Sequence, residues 1–194
     1  MELIELLKLS SARHSHLCPR QVLGVRMGLA GLRAIGLEAP MPRKAALVFV
    51  ESDGCFADGI EVATGATVGH RTLRVVDLGK IAATFSNVET RRTVRLAPRP
   101  DVRLRAREYA PEIKKKYYAQ LKGYQVMPEM ELFTFQEVVL DPALEVIISR
   151  PGLRAKCAQC GEEIINERQV CVDGKVLCRT CAGGSYYRPR ETPR

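Results

Sequence analysis

Two pairs of cysteines near the carboxyl end restrict the possible fold of this chain more than any other feature. The first pair is Cys157 and Cys160, the second is Cys178 and Cys181, and seventeen residues separate them. Four thiolates with this spacing are typical of a tetrahedral zinc site. Because so short a segment cannot build an adequate hydrophobic core by itself, we predict a structural zinc module of the zinc-ribbon or treble-clef-like kind.

The residues between the two pairs have the pattern of a β-hairpin. Asp173-Gly174 is a two-residue turn signal between the strand-like segments 170–172 and 175–177. Gly161 permits the tight turn that follows the first pair. Cys171 fits neither pair, and we expect it to be buried as a small apolar side chain.

A second candidate metal site lies near the amino end. A segment of five residues contains His14, His16 and Cys18, and thus two of the three histidines. Imidazole nitrogen and thiolate sulfur are ligands that zinc and similar metals prefer, and a thiolate is also a strong nucleophile. Cys55, in a polar loop, completes this site if the two segments meet in space. We therefore predict a metal or catalytic site, with Cys18 and Cys55 as the catalytic candidates.

The local sequence places Cys18 at the start of a helix. Pro19 is favoured at the first position of a helix, and apolar residues then repeat at helical spacing towards Gly36. Unpaired amides at a helix start favour a thiolate over a thiol. Cys55 follows the buried strand predicted at 45–50, and Asp58 is a plausible cap of a helix over 58–65.

The remaining pattern mixes strands and helices without repeats, which predicts an α+β fold: a mixed helix and sheet core domain with a small C-terminal zinc-binding module. A helix from Val102 or Pro111 should end at Lys122, closed by Gly123, with Tyr117 and Tyr118 on its apolar stripe. The other predicted strands cover 72–77, 81–85, 93–96 and 132–140.

Pro151-Gly152 is the best candidate for a domain boundary. We therefore predict an α+β metal-binding domain over 1–150, the four-cysteine zinc module over 151–187 and a disordered tail over 188–194.

The composition favours a reducing compartment. Seven cysteines, an odd number with CxxC pairing, indicate metal binding and not a disulfide framework. No apolar run reaches the roughly 18 residues that span a bilayer, and the acidic start lacks the layout of a secretory signal. We expect a soluble cytoplasmic protein without a membrane partner.

The formal charge of +8 is concentrated in one segment. Residues 89–122 contain eleven Lys or Arg residues and four Asp or Glu residues. Such a field attracts nucleic acid, phosphorylated cofactors or an acidic protein face, although a solvated arginine-rich surface has the same composition.

Several segments together resemble the FmdE-like family, whose members are named after a component of formylmethanofuran dehydrogenase. They are His14–Pro19, Asp53–Ile60, Thr64–Leu73 and Asp77–Phe85, in the family's order and covering most of residues 10–90. Ser15 and Arg20 stand where the family typically has glycine. Some members also carry a C-terminal zinc module, so the resemblance extends to the two-domain layout.

The resemblance implies an α+β protein that forms a homodimer and carries a metal near these positions. It makes His16, Cys18 and Cys55 the first-choice ligands of zinc or another divalent metal. In this view His14 is a fourth ligand candidate, and Asp53 and Asp58 orient ligands or carry protons. His70 is a further ligand candidate, although it stands where the family often has a different polar residue.

Our leading interpretation is a metal-binding accessory protein, similar to FmdE, of molybdenum- or tungsten-dependent one-carbon or redox metabolism, with subunits of that enzyme as partners. A first alternative is a metal- or thiolate-dependent enzyme that uses His16, Cys18 and Cys55. A second is a zinc-containing regulator that binds nucleic acid through the basic segment.

Overall fold

The computed structural model describes residues 2–42, 44–148, 152–188 and 190. It divides into two compact units, Met1–Leu140 and Asp141–Arg194. The boundary predicted after residue 150 lies outside the described residues, as do Pro189 and 191–194 of the predicted disordered tail. The division at 150 and the disorder of the tail therefore stay predictions.

The first unit is a mixed helical and sheet domain, which confirms the predicted α+β class. Its elements in chain order are α1 Leu3–Ser11, α2 Pro19–Ala34, β1 Ala46–Val50, α3 Cys55–Thr64, β2 Leu73–Val75, β3 Ala83–Asn87, β4 Thr93–Pro98, α4 Val102–Arg105, α5 Lys116–Val126, α6 Glu129–Leu132 and β5 Phe133–Glu137.

The five strands form one sheet in the order β2-β1-β3-β4-β5. β1 and β2 are parallel, with Val48 opposite Leu73, and α3 makes the crossover between them. The other pairs are antiparallel, and Phe85 of β3 lies opposite Val48 on one side and Val94 on the other. The apolar run predicted at 45–50 is thus an interior strand.

α2 is the central helix of the first unit. Its predicted apolar repeat is confirmed, because Val22, Val25 and Leu32 are completely buried. A Cβ atom at Gly31 would lie 2.3 Å from the ring of Phe85, so the helix packs directly on β3. The position of α2 against the sheet fixes where its first turn, and hence Cys18, is held.

α2 and α3 approach each other closely at two glycines. A Cβ atom at Gly59 would lie 2.5 Å from the carbonyl oxygen of Gln21 and 2.9 Å from the Cα of Gly24. Any larger residue would push the helices apart. This contact lies near the start of both helices, so it holds Cys18 and Cys55 in one region.

Four local predictions in the first unit are wrong. The helix expected from Val102 or Pro111 begins at Lys116, after the separate α4. Asp58 does not cap α3, because Gly54 occupies the cap position and the helix already begins at Cys55. Gly123 does not end α5, which runs on to Val126 because Gly123 packs against the backbone of Ala106. Tyr117 and Tyr118 are not on a buried stripe, since they are 44% and 52% exposed.

The basic segment is partly neutralised by ion pairs. Arg95 forms two hydrogen bonds with the buried Glu51, at 2.5 Å from Nε to Oε1 and 2.7 Å from Nη2 to Oε2. These hydrogen bonds raise the pKa of Arg95. Further pairs join Arg92 to Glu137, Arg99 to Asp101 and Arg105 to Glu131. Several arginines that the sequence offered for anion binding are therefore engaged with carboxylates of the domain itself.

In the part of the chain that the structure describes, no helix has both the length and the apolar character needed to cross a membrane.

In its described residues, the second unit contains one short helix and two small antiparallel sheets. Its elements are α7 Leu144–Ile148, β6 Arg154–Lys156, β7 Glu163–Ile165, β8 Val170–Val172 and β9 Lys175–Leu177. The predicted hairpin is confirmed, with Asp173 and Gly174 at φ angles of 50° and 75° between β8 and β9. Gly161, at a φ of 76°, makes the predicted turn after Cys160.

The expectation for Cys171 is wrong, because this residue is exposed. Cys171 lies opposite Val176 on the hairpin, and Val176 is also exposed. The neighbouring Leu177 is instead buried with Cys157 and Ile164. Side chains alternate along a strand, so one face of this hairpin covers the small core and the other carries Cys171.

Candidate metal centre

The second unit brings the four predicted zinc ligands together. The sulfur atoms of Cys157, Cys160, Cys178 and Cys181 all lie within 4.8 Å of one another. In the described residues, no other group of three or more His, Cys, Asp or Glu side chains has its ligand atoms this close together. Four sulfurs about 2.3 Å from a tetrahedral metal stand about 3.8 Å apart, and Cys160 Sγ lies 3.9 Å from Cys178 Sγ. The cluster has the dimensions of a metal site.

Backbone amides stabilise the thiolate form in this cluster. The amides of Cys178 and Cys181 donate to the sulfurs of Cys157 and Cys178, at 3.3 and 3.4 Å. Hydrogen bonds from the amides of Cys160 and Cys178 lower the pKa of Cys157 to about 6. The hydrogen bond with Cys178 and burial raise the pKa of Cys181 to about 12. The metal-free cluster resists a second negative charge, and a cation removes that cost.

At the amino end, Cys18 caps α2 as predicted. Its Sγ accepts a hydrogen bond from the amide of Gln21 at 3.4 Å, and the Gln21 side chain accepts one from the amide of Cys18 at 2.8 Å. The Gln21 amide group also donates to the carbonyl of Ser10 at 2.9 Å. This capping box fixes the direction of the buried Cys18 side chain.

Cys55 approaches Cys18 from the first turn of α3. Burial, and next the thiol of Cys18 beside it, raise the pKa of Cys55. The negative charge of Asp58 contributes in the same direction. A metal ion between two neighbouring thiols stabilises both as thiolates.

Cys18 and Cys55 open into one cavity of about 430 Å³ that His16 also lines. His16 is exposed, and its Nδ1 lies 3.2 Å from Ser15 Oγ, which leaves Nε2 as a ligand atom. The three first-choice ligands thus come from two separate segments to one cavity. An imidazole nitrogen and two sulfurs are donors that suit zinc. Their ligand atoms are not among the groups of three or more that lie within 4.8 Å of one another in the described residues.

The other candidate residues do not line this cavity. His14 Nε2 is 2.5 Å from the carboxylate Oδ2 of Asp58, and neither residue lines the cavity. His70 is in an exposed turn, where its amide bonds to Thr67 Oγ1. Asp53 is exposed in the loop before α3. Whether any of them completes a ligand set stays a prediction.

Several residues around this cavity were not predicted from the sequence. Gln21 could have been found, because a helix start with a capping residue and Gln three positions later is a capping-box signal. Gln21 does not line the cavity itself, whereas Arg103, Tyr117 and Gln120 do, although they lie far from Cys18 in the sequence. Burial, and then the nearby Cys18 thiol, raise the pKa of Tyr117. No spacing rule connects these residues to the cysteines.

Comparison with known proteins gives matches that extend over most of the chain. A curated relative from Archaeoglobus fulgidus, a "Probable S-adenosyl-L-methionine-binding protein", is 30% identical over 208 residues. The match covers 96% of this chain and 54% of that protein, so the chain spans about half the length of this relative.

A solved structure has the same fold. It is an FmdE-like protein of the tungsten formylmethanofuran dehydrogenase type from Syntrophus aciditrophicus, with a TM-score of 0.62 and 20% sequence identity. The match covers 97% of this chain and 96% of that one. At this identity the likeness establishes the fold.

The family model named FmdE, molybdenum formylmethanofuran dehydrogenase operon, matches residues 13–166. That range contains the cavity cysteines, Cys18 and Cys55, and the first CxxC pair. The resemblance seen in the sequence is confirmed, and the chain belongs to the FmdE family.

Proposed function

We propose that this protein is a metal-binding accessory component of a molybdenum- or tungsten-dependent enzyme of one-carbon or redox metabolism. The family membership supports the metabolic setting. The observation that carries the metal-binding part is the convergence of Cys18 and Cys55, from the starts of two helices, on the cavity that His16 lines. His16, Cys18 and Cys55 bind zinc or another divalent metal there.

The second unit binds a structural zinc ion in this proposal. Its four sulfurs have the spacing of a tetrahedral site, and zinc is the usual occupant of four-cysteine sites of this kind. The ion takes the place of a larger hydrophobic core. The two sites therefore differ in role, because one is closed by four protein ligands and the other opens into a cavity.

Metal content of purified variants tests this scheme directly. We expect about two metal ions per chain in the full protein, measured by inductively coupled plasma mass spectrometry. Cys18→Ser and Cys55→Ser should each remove one ion, and Cys178→Ser should remove the other. Cys171→Ser is the matched control, because its exposed thiol lies in neither site. Loss of metal from the control, or full metal content in both Cys18→Ser and Cys55→Ser, would contradict the assignment.

The accessory role calls for a physical partner. We propose that the protein forms a homodimer and associates with subunits of the molybdenum or tungsten enzyme. Co-expression with those subunits, followed by size-exclusion chromatography with light scattering, tests both statements. Separate elution of a monomer would contradict them.

A second candidate function is an enzyme that acts at the same cavity. The volume of about 430 Å³ beside the two thiols favours it, since a buried structural site would not need this space. A metal with an open position activates water, and a free thiolate attacks electrophiles. Alkylation with iodoacetamide separates these cases. A catalytic thiolate reacts quickly in the metal-loaded protein, whereas a ligand thiolate reacts only after the metal is removed.

Binding of nucleic acid is the least favoured of the functions that the sequence suggested. Arg92, Arg95 and Arg105 of the basic segment are engaged in ion pairs with carboxylates. Fluorescence anisotropy with arbitrary DNA at two salt concentrations tests this function, because binding through phosphates falls steeply as salt rises.

A further inference from the structure

Two arginines line the same cavity without a carboxylate to neutralise them. Arg20 and Arg103 are lining residues, and no Asp or Glu is among the described side chains that line this cavity. Arg92 and Arg105, on either side of Arg103 in the sequence, are each paired with a glutamate. Within the described ranges, neither Arg20 nor Arg103 forms an ion pair. The described side chains that line the cavity therefore carry net positive charge, and Asp58, the carboxylate that acts on Cys55, lies outside the lining.

The orientation of α2 adds to this positive field. Arg20 is the second residue of α2, a helix of 16 residues whose start carries Cys18 and lies at the cavity. The first amides of a helix and the positive end of its dipole favour an anion nearby. The side chain and the helix start thus act in the same direction.

The remaining lining is suited to the body of an organic molecule. Leu23 and Ile81 supply apolar surface, Tyr117 supplies an aromatic ring and Gln120 supplies an amide that both donates and accepts hydrogen bonds. The ring of Tyr117 is held edge-on to Tyr118, at 5.3 Å between the ring centres. A volume of about 430 Å³ is also in the range of small-molecule sites.

We propose that this cavity binds a small organic anion through a carboxylate or phosphate group, with Arg20 and Arg103 as the residues that hold the anionic end. The proposal rests on the proposed function only in sharing the cavity with His16, Cys18 and Cys55. The anionic group lies against the two guanidinium groups, which bind oxyanions through paired hydrogen bonds. The apolar or aromatic part lies against Leu23, Ile81 and Tyr117.

Isothermal titration calorimetry of the full, zinc-loaded chain tests this proposal with simple probes. Benzoate carries a carboxylate on a ring, benzamide has nearly the same shape without the charge, and inorganic phosphate carries the charge without the ring. We expect saturable binding of benzoate or phosphate and at least about tenfold weaker binding of benzamide than of benzoate. Phenyl phosphate, which carries a phosphate on the same ring, is compared with benzoate to identify the head group. Tighter binding of benzoate identifies a carboxylate ligand, and tighter binding of phenyl phosphate identifies a phosphate ligand.

Two variants locate the anion within the cavity. Arg20→Gln and Arg103→Gln should each weaken binding of the preferred anion about tenfold or more. Arg107→Gln is the matched control, because it removes the same charge from the basic segment at a residue that does not line this cavity. Equal weakening by Arg107→Gln, or unchanged binding in both cavity variants, would overturn the proposal, as would the absence of saturable binding of benzoate and phosphate.

Metal content and thermal midpoint are measured for each variant, so that misfolding is recognised. Arginine-dependent anion binding to a chain that holds no metal at Cys18 and Cys55 would support the anion site and overturn the proposed metal site. Full metal content without anion binding would support the proposed metal site and overturn the anion site.

Discussion

Gln21 fixes the orientation of Cys18 at the start of α2. Its side chain pairs with the amide of Cys18 and the carbonyl of Ser10, and it is completely buried. A buried polar group that loses its partner costs about 1–3 kcal/mol. Gln21 is therefore a structural residue of the metal centre although it offers no ligand.

We expect Gln21→Leu to lower the free energy of unfolding by about 1–3 kcal/mol, because it leaves the amide of Cys18 unpaired. The carbonyl of Ser10 still accepts a hydrogen bond from the amide of Arg13. Urea denaturation followed by circular dichroism measures this change. Gln125→Leu is the control, since the Gln125 side chain bonds only within its own helix, to the carbonyl of Leu121. A loss of similar size in both variants would show that burial of leucine, and not the lost cap, is responsible.

The close approach of α2 and α3 also depends on single residues, Gly24 and Gly59. Gly59→Ala places a methyl group 2.5 Å from the carbonyl of Gln21, so one of the two helices must move. We expect a loss of about 1–3 kcal/mol, measured by the same denaturation experiment. Gly69→Ala should change stability by no more than about 0.5 kcal/mol, because no atom lies within 4 Å of its added Cβ. Equal stability of the two variants would refute this close packing.

At the scale of elements, Arg26 of α2 binds the carboxyl end of α5. Its guanidinium donates to the carbonyls of Tyr124, Gln125 and Met127, at 2.8, 2.9 and 2.7 Å. Burial lowers the pKa of Arg26. α5 carries Tyr117 and Gln120, so this one side chain also positions a wall of the cavity.

We expect Arg26→Met to cost about 3 kcal/mol, because three carbonyls at the end of a helix lose a charged donor. Hydrogen exchange should then be faster for the amides of α5 than for those of β3. Arg33→Met, on the same helix, is the control. Arg33 pairs with Glu129 at the surface, where such a pair contributes about 0–1 kcal/mol. Unchanged exchange in α5 would contradict the role given to Arg26.

For the whole molecule, local signals predicted more of the fold than of the cavity. Pro19 and the apolar repeat after it predicted α2, and the cysteine spacing predicted the metal cluster of the second unit. Both signals lie within one short segment. Arg103 and Tyr117 reach the cavity only because α4 and α5 pack beside α2, and residue spacing does not encode that packing. The continuation of α5 past Gly123 likewise depends on packing, here against the backbone of Ala106, which residue spacing does not encode.

The two units also differ in what stabilises them. The first has a continuous core that includes Val22, Phe56 and Phe85. The core of the second, among its described residues, consists of Cys157, Ile164 and Leu177 with a few partly buried neighbours. These three side chains, and the buried Leu144 outside their cluster, contribute far less than the entropy lost in ordering the second unit. A bound metal is therefore the expected source of its stability.

We therefore expect a strong zinc chelator to unfold the second unit while the first keeps its structure. In amide-resolved NMR spectra of the full chain, the signals of Ile164 and Leu177 should move to unfolded positions, and those of Val22 and Phe85 should keep the dispersion of a folded core. Cys178→Ser should produce the same spectrum without chelator, and Cys171→Ser should match the untreated protein because its thiol is exposed. If Ile164 and Leu177 stay folded after complete removal of the metal, the apolar contacts alone are sufficient, and the structural role of zinc in this unit is wrong.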